Sequence, residues 1–438
     1  MCLAVCALLG EGRAQAPPQQ QTDKPLTLDE VIQRAEANQP GFAAAAAESR
    51  ATALERTDAR AGLLPSVTYH NQYLFTQSNQ TQAATTQGGL SQSLPLFIAN
   101  NAVHEYYSQG VVNEQLGLAQ IGAVRLAEAN AARAQAELEV ARRGLVTTVV
   151  TLYYTVASGG TKVQIAQRAL DEANRFADVT EKREAAREAA HADVIKARLG
   201  QEQRQRELDE ATLAAEKASL ELGVLLFPDP TTKFTLEPAG APPMLPDLQS
   251  VEAAAKQNNP ELRSAMASLQ VSKAETLNAR AALLPDLSLQ FMYGIDAPQF
   301  AKRGPDGARN LGYSAGATLD IPIWDWLTTE RKVKEANIRA NAAKLTVTTA
   351  QRRLVATLAE DYDEAEVARR ELASLDASVA DARESLRLTN LRYVNGEGTV
   401  LEVVDAENTL ISAEDAQIDG EVRYRTALAQ LQTLAGRF

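Results

Sequence analysis

TTERKVKEANIRANAAKLTVTTAQRRLVATLAEDYDEAEVARRELASLDASVADARESLRLTNLRYV runs from Thr328 to Val394 without one glycine or proline. Glycine loosens a helix and proline removes one of its N–H donors. Their absence predicts a single helix of roughly 100 Å at 1.5 Å per residue. Leu358, Tyr362, Ala365, Leu372, Leu375, Val379, Ala382, Leu386 and Tyr393 recur at spacings of three, four or seven. That is the seam of a coiled coil, so the helix needs a partner along its length. Asn395–Gly398 reads as a turn, after which the chain returns as a second helix.

Working outward, the same pattern precedes it. Leu28, Val31, Ala35, Asn38 and Pro40 correspond to Leu248, Val251, Ala255, Asn258 and Pro260. The match continues without a gap to Ala59-Arg60-Ala61-x-Leu63-Leu64-Pro65 against Ala279-Arg280-Ala281-x-Leu283-Leu284-Pro285. Further on, Leu94-Pro95-Leu96-Phe97 matches Ile321-Pro322-Ile323-Trp324. The chain therefore divides into a first repeat over 17–226, a linker over 227–247 and a second repeat over 248–438. Six prolines in Phe227–Pro246 mark the linker as ordered loop rather than helix. Each repeat opens with an alanine-rich helix, Leu28–Leu64 or Leu248–Leu284, closed by proline. Two strands and a long helical hairpin follow. In the first repeat the long helix spans about Ala123 to Arg183, weakened at Gly144, Gly159 and Gly160, and turns at Glu184–Ala190. The alanines permit close helix packing, or serve only as the best helix formers; both readings stand.

Period-two alternation locates the strands. Val67, Tyr69, Tyr73 and Phe75 alternate with Thr68, His70, Gln72 and Thr76. Leu287, Leu289, Phe291, Tyr293 and Ile295 alternate with Ser288, Gln290, Met292, Gly294 and Asp296, and Tyr313, Ala315, Ala317, Leu319 and Ile321 with Ser314, Gly316, Thr318 and Asp320. Such strands are about ten residues long, enough to cross a bilayer when tilted. The fourth strand is expected at Leu90–Phe97. The polar stretches Thr76–Gly88 and Ala297–Gly312 are expected as loops on the outer face.

The 438 residues are 45% hydrophobic and 23% charged, so the chain can bury a core. A net charge of -12 argues against nucleic acid as a partner. Leu3–Leu9 followed by Ala14-Gln15-Ala16 reads as a signal peptide over 1–16. No Lys or Arg precedes the apolar run, so the true start is expected upstream. A lipid anchor at Cys6 is the weaker reading, because Val5 is bulky where a small residue is needed. Cys2 and Cys6 are the only cysteines, so cleavage after Ala16 would leave no disulfide. No stretch of about 18 apolar residues follows that could span as a helix.

Gly398-Thr399-x-Leu401-Glu402-Val403-Val404-Asp405-Ala406 resembles the G-T-x-L-D-V-L-D-A segment of the TolC family of outer-membrane efflux proteins. The order of elements resembles that family from about Leu26 to Phe438. Ala192-Asp193-Val194-Ile195-Lys196-Ala197-Arg198 at the first hairpin tip is a looser match. The resemblance implies a mainly α fold with a membrane β-barrel portion. Three copies would combine four strands each into a twelve-stranded barrel in outer-membrane lipid, with the helices forming a periplasmic tube. It further implies a periplasmic adaptor at the tips and an inner-membrane pump, which makes the chain the exit duct of an efflux or type I secretion machine. There are two departures. The first tip carries Ala186-Arg187-Glu188 where many members have a small hydrophobic stretch. Roughly 20 extra residues also lie between Ile98 and Ala123, by comparison of the repeat offsets.

The same resemblance carries the acidic lumen constriction onto Asp193, Glu402 and Asp405. Three copies of each would make an anionic ring that attracts cations. The residues themselves admit another role. Thr399-x-x-Glu402 is a capping box, and Asp193 lies in a first helical turn, where a carboxylate meets the helix dipole favourably. His70, His104 and His191 are scattered, and no catalytic, metal or nucleotide motif is present; no enzyme activity, cofactor or metal is expected. Lys182–Arg206 reads as a solvated helix face. Trp324 and Trp326 are candidates for a lipid-interface anchor or for ordinary packing. A secreted periplasmic coiled-coil scaffold is the competing class, but it needs no strands of bilayer-crossing length.

Overall fold

A computed structural model describes residues 24–75, 104–305 and 307–436. Two copies of one motif follow each other: α1 (Leu28–Asn38), α2 (Pro40–Ala61), β1 (Ser66–Phe75), β2 (His104–Leu116), α3 (Leu118–Ala185) and α4 (His191–Leu226), then α5 (Leu248–Asn258), α6 (Pro260–Ala281), β3 (Asp286–Ala297), β4 (Leu311–Asp320), α7 (Thr328–Val394) and α8 (Val400–Leu434). The seam helix spans the residues predicted for it. No helix among the described residues is long and apolar enough to cross a membrane.

The single alanine-rich helix expected at the head of each repeat is two helices. Pro40 and Pro260 force the break. Each sits at the first position of its helix, where a missing N–H costs nothing, and pushes the residue before it out of the helical region. Gln39 and Asn259 are accordingly extended, with ψ of 115° and 123°. Both then cap the new helix: Phe42 N donates to Gln39 Oε1 at 2.6 Å, and Leu262 N to Asn259 Oδ1 at 2.8 Å. α1 opens with a capping box of Thr27 and Glu30.

The partner of β1 is His104–Leu116, not Leu90–Phe97, which lies outside the described residues, as does Thr76–Gly88. Residues 104–122 of the segment expected to be extra are this strand, the counterpart of β4, and the start of α3; the rest of that segment lies outside the described residues. The sheet has the order β1-β2-β3-β4, antiparallel throughout. Its register aligns the alternations. Tyr69 faces Gly110, which faces Tyr293, which faces Tyr313. One face therefore collects Val67, Tyr73, Val112, Phe291 and Leu319, and the other Thr68, Gln72, Gln109, Gln290 and Thr318. Few of these side chains are buried: every β1 residue is exposed. Asn113 and Gln109 sit on the polar face, but Glu114 lies on the apolar face near the helix end of β2, opposite Leu289.

The helices bury their apolar stripes in two equivalent clusters. Val31 and Ala35 of α1 pack with Leu145, Val149 and Tyr153 of α3 and with Leu222 and Leu226 of α4. Val251 and Ala255 of α5 do the same with Leu354, Leu358 and Ala365 of α7 and with Ala427 and Leu431 of α8. The segment 227–247 packs against the helices. It forms a parallel bridge between Leu26 and Leu236. Its carbonyls accept from tyrosines on the long helices: Tyr153 Oη donates to Glu237 O at 2.9 Å and Tyr424 Oη to Pro243 O at 2.7 Å. Both hydroxyls have pKa values raised by burial.

The two uses of alanine separate by position. Ala365 and Ala368 of α7 have no exposed surface, whereas Ala43, Ala44 and Ala47 of α2 are exposed. Replacing Ala365 with Leu adds three carbons to a filled seam. It should destabilise the protein by about 1–3 kcal/mol, read as a lower midpoint in urea or heat.

Candidate functional site

Both hairpin tips turn by the same device. At the end of α3, Glu188 N donates to Arg183 O and Arg187 N to Glu184 O, each at 2.8 Å. At the end of α7, Glu397 N donates to Arg392 O at 2.9 Å and Gly396 N to Tyr393 O at 3.0 Å. These are paired Schellman bonds, and the residue after the helix cap must enter the left-handed region. Gly396 does so freely at φ 79°; Arg187 does so at φ 62° despite its side chain. The Ala186-Arg187-Glu188 departure thus preserves the turn.

Beyond each turn the returning helix begins. Thr399 starts α8 with a complete capping box: Glu402 N donates to Thr399 Oγ1 at 3.3 Å and Thr399 N to Glu402 Oε2 at 3.1 Å. Arg392 lies 3.9 Å from the same carboxylate oxygen. Ala190 starts α4 with no side-chain cap. Asp193 holds the third position of α4 and Glu402 the third of α8, so the two are repeat equivalents. Lys196 stands where the second repeat has Asp405. Glu402 and Asp405 are exposed, one turn apart on one helix face, and Asp193 is half-buried. The local capping role of Glu402 is thus present whatever else the residue does.

Sequence reasoning missed the contacts that join the tips. Tyr393 is buried and its hydroxyl lies 3.2 Å from Thr180 Oγ1, a fully buried hydroxyl that also donates to Phe176 O at 2.8 Å. Arg183 stacks 4.8 Å from the Tyr393 ring centre and donates from Nη1 to Tyr393 O at 2.9 Å. Arg204 is buried too, bonded to Glu207 and, on the other hairpin, to Asn408. Tyr393 was legible as a seam residue. Its partners lie about two hundred positions away, and no local pattern announces them.

The histidines pack or pair at the surface. His70 meets Tyr107 edge-on at 5.6 Å, Tyr73 Oη lies 2.6 Å from His104 Nδ1, and His191 Nδ1 lies 2.7 Å from Glu184. The run Lys182–Arg206 is largely exposed, with pairs such as Arg198–Glu181 at 2.8 Å. Trp324 and Trp326 are 68% and 77% exposed and meet edge-on after β4. No group of carboxylates, histidines or cysteines among the described residues could hold a metal.

A family model described as outer membrane efflux protein matches residues 253–437. The second repeat thus resembles that family. Protein CyaE of Bordetella pertussis is 25% identical over 73% of this chain and 67% of its own length, about two thirds of that relative. Cobalt-zinc-cadmium resistance protein CzcC of Cupriavidus metallidurans is 24% identical over 93% of this chain and 87% of its own. Among solved structures, the outer membrane protein VceC of Vibrio cholerae superposes with a TM-score of 0.77 at 17% identity, covering 93% of this chain and 96% of that one. The fold is thus that of a TolC-type channel. The partial family match and these relatives together support an outer-membrane channel of an efflux or secretion system that extends into the periplasm. Its relatives are transport proteins rather than enzymes.

Arg187 gives a local test of the tip. A left-handed L-residue costs roughly 1–2 kcal/mol, and glycine returns part of that gain through its freer unfolded chain. Arg187→Gly should therefore stabilise by about 0.5–1 kcal/mol, read as an upward shift of the melting midpoint.

Proposed function

We propose that three copies of this chain close a twelve-stranded barrel in outer-membrane lipid and continue as a helical tube through the periplasm. The duct is fed by an inner-membrane pump through an adaptor that meets the hairpin tips. The observation that carries this reading is the sheet. Its four strands share one apolar face, and among the described residues β1 and β4 each keep one edge without a partner in the sheet order. Open edges are not tolerated in hydrocarbon, so the edges must pair between copies. A periplasmic scaffold has no use for Tyr69, Phe291 and Leu319 in water. Trp324 and Trp326, at the helix end of β4, suit the lipid interface on the periplasmic side.

Asp193, Glu402 and Asp405 then line the inner constriction, where threefold symmetry gathers their charges. Glu402 both caps α8 and contributes to the ring, since the cap uses Oε2 of its exposed carboxylate and leaves Oε1. The reading carries no enzyme activity and no cofactor.

Two measurements test it. In detergent, light scattering should give the mass of a trimer, and a planar bilayer should show discrete conductance; a stable monomer that keeps its strands sinks the proposal. Glu402→Gln with Asp405→Asn separates ring from cap, because glutamine still serves a capping box. Cation selectivity and block by a trivalent cation should weaken while the melt changes by less than about 0.5 kcal/mol. Unchanged selectivity would mean that the carboxylates act only as caps and surface charge.

A further inference from the structure

Glu407 lies on α8 two residues beyond Asp405 and points into the protein instead of away from it. It is 8% exposed, and its Oε1 has no hydrogen-bond partner within the protein. Two cavities meet at this side chain. The larger, about 180 Å³, lies between α3, α7 and α8, with Ile165, Leu386, Leu410 and Ile411 as apolar walls. The smaller, about 20 Å³, lies between α3, α4 and α8. Glu407 is thus at the point where α8 of the second hairpin meets both helices of the first.

The charges around it leave the carboxylate without an ion-pair partner. On α4, Arg204 donates to Glu207 at 2.5 Å and to Asn408, with no hydrogen bond to Glu407. On α3, Arg168 donates to Glu414 at 3.4 Å, and Arg175 Nε to Asp171 O at 3.1 Å. From α7, Arg383 also donates to Glu414, at 2.9 Å. Glu172 of α3 is exposed at the wall of the larger cavity and faces Glu407 as a like charge. An ionised Glu407 therefore has little solvent contact and no bonded cation, while a protonated one fits the apolar walls.

We propose that Glu407 is a proton-binding site between the two hairpins: protonated, it holds α8 against α3 and α4, and ionised, it draws water into the cavities and loosens the first turns of α8. The titration agrees with this geometry. Burial, then the Glu172 carboxylate, push the Glu407 pKa up to about 7, with Arg204 pulling the other way. A carboxyl whose pKa is raised by folding supports the closed form most below its free value of 4.5, and that support is lost as pH rises toward 7. Above about 7 the loss is complete. The inference rests on this packing alone and holds whether or not the chain conducts.

Hydrogen exchange on the full chain in detergent tests it, with rates corrected for the intrinsic effect of pH. In the wild type, amides of 403–411 should lose protection between about pH 5 and 7, by at most tenfold per pH unit, and level off above. Glu407→Gln should remove that loss. Glu172→Gln changes an exposed residue and tolerates failure of the first variant to fold; it should move the levelling point to lower pH and shrink the total loss. Wild-type protection that does not change over this range overturns the proposal. So does a Glu407→Gln protein that keeps the same pH dependence, or a Glu172→Gln protein that leaves it unmoved.

Discussion

A helix of 67 residues such as α7 cannot wrap itself around a globular core; it stays ordered because another backbone runs close beside it along its length. Alanines with no exposed surface, Ala365 and Ala368 among them, set that distance. A larger side chain there would push the neighbouring backbones apart over several turns, since packed interiors have no slack to absorb it. Gly159 of α3 and Gly420 of α8 follow the same rule. A Cβ on Gly159 would stand 3.3 Å from Ala215, and one on Gly420 would stand 2.5 Å from Leu375. At Gly159 the weakness that glycine brings to α3 is thus offset by the approach it permits, whereas Gly144 and Gly160 face open space.

The sheet follows a different pattern of exposure. The long helices alternate buried and exposed stripes, as elements in water do, but the strands leave their largest apolar side chains open: Tyr69 is 72% and Tyr313 76% exposed. Four strands in one register concentrate these groups on a single face. That face is suited to lipid, and the opposite one, with His70, Gln72 and Gln290, to water. One chain therefore carries two parts of opposite exposure, joined where Trp324 and Trp326 follow β4.

At the tips the chemistry is local and sparse. Each turn is closed by backbone bonds, and few polar contacts tie one hairpin to the other: Thr180 to Tyr393, Arg183 to the Tyr393 carbonyl, Arg204 to Asn408. Glu402 shows how one carboxylate can answer a local need and still face the surface. Glu407, five residues on, has no such dual satisfaction, which is why its protonation state matters to the packing around it.

Sequence periodicity alone determined the long helices, the repeat, three of the four strands and the capping box. Each is encoded by neighbours a few positions apart, where spacing fixes which face a side chain takes. Pro40 and Pro260 were visible too, but their effect was read as an end rather than a break, because Gln39 and Asn259 cap the following helix through geometry that a pattern does not display. Only the tertiary structure decided the second strand. Its apolar-face positions include Ser108, Gly110 and Glu114, while Tyr107 and Val111 fall on the other face, so β2 has no alternation of its own and owes its place to pairing with β1 and β3. The structure likewise decided that Tyr393 meets Thr180 and that Glu407 lies between Glu172 and Arg204. Burial and pairing across two hundred residues are properties of the folded chain, and the charge state of a carboxylate follows from them rather than from its neighbours in sequence.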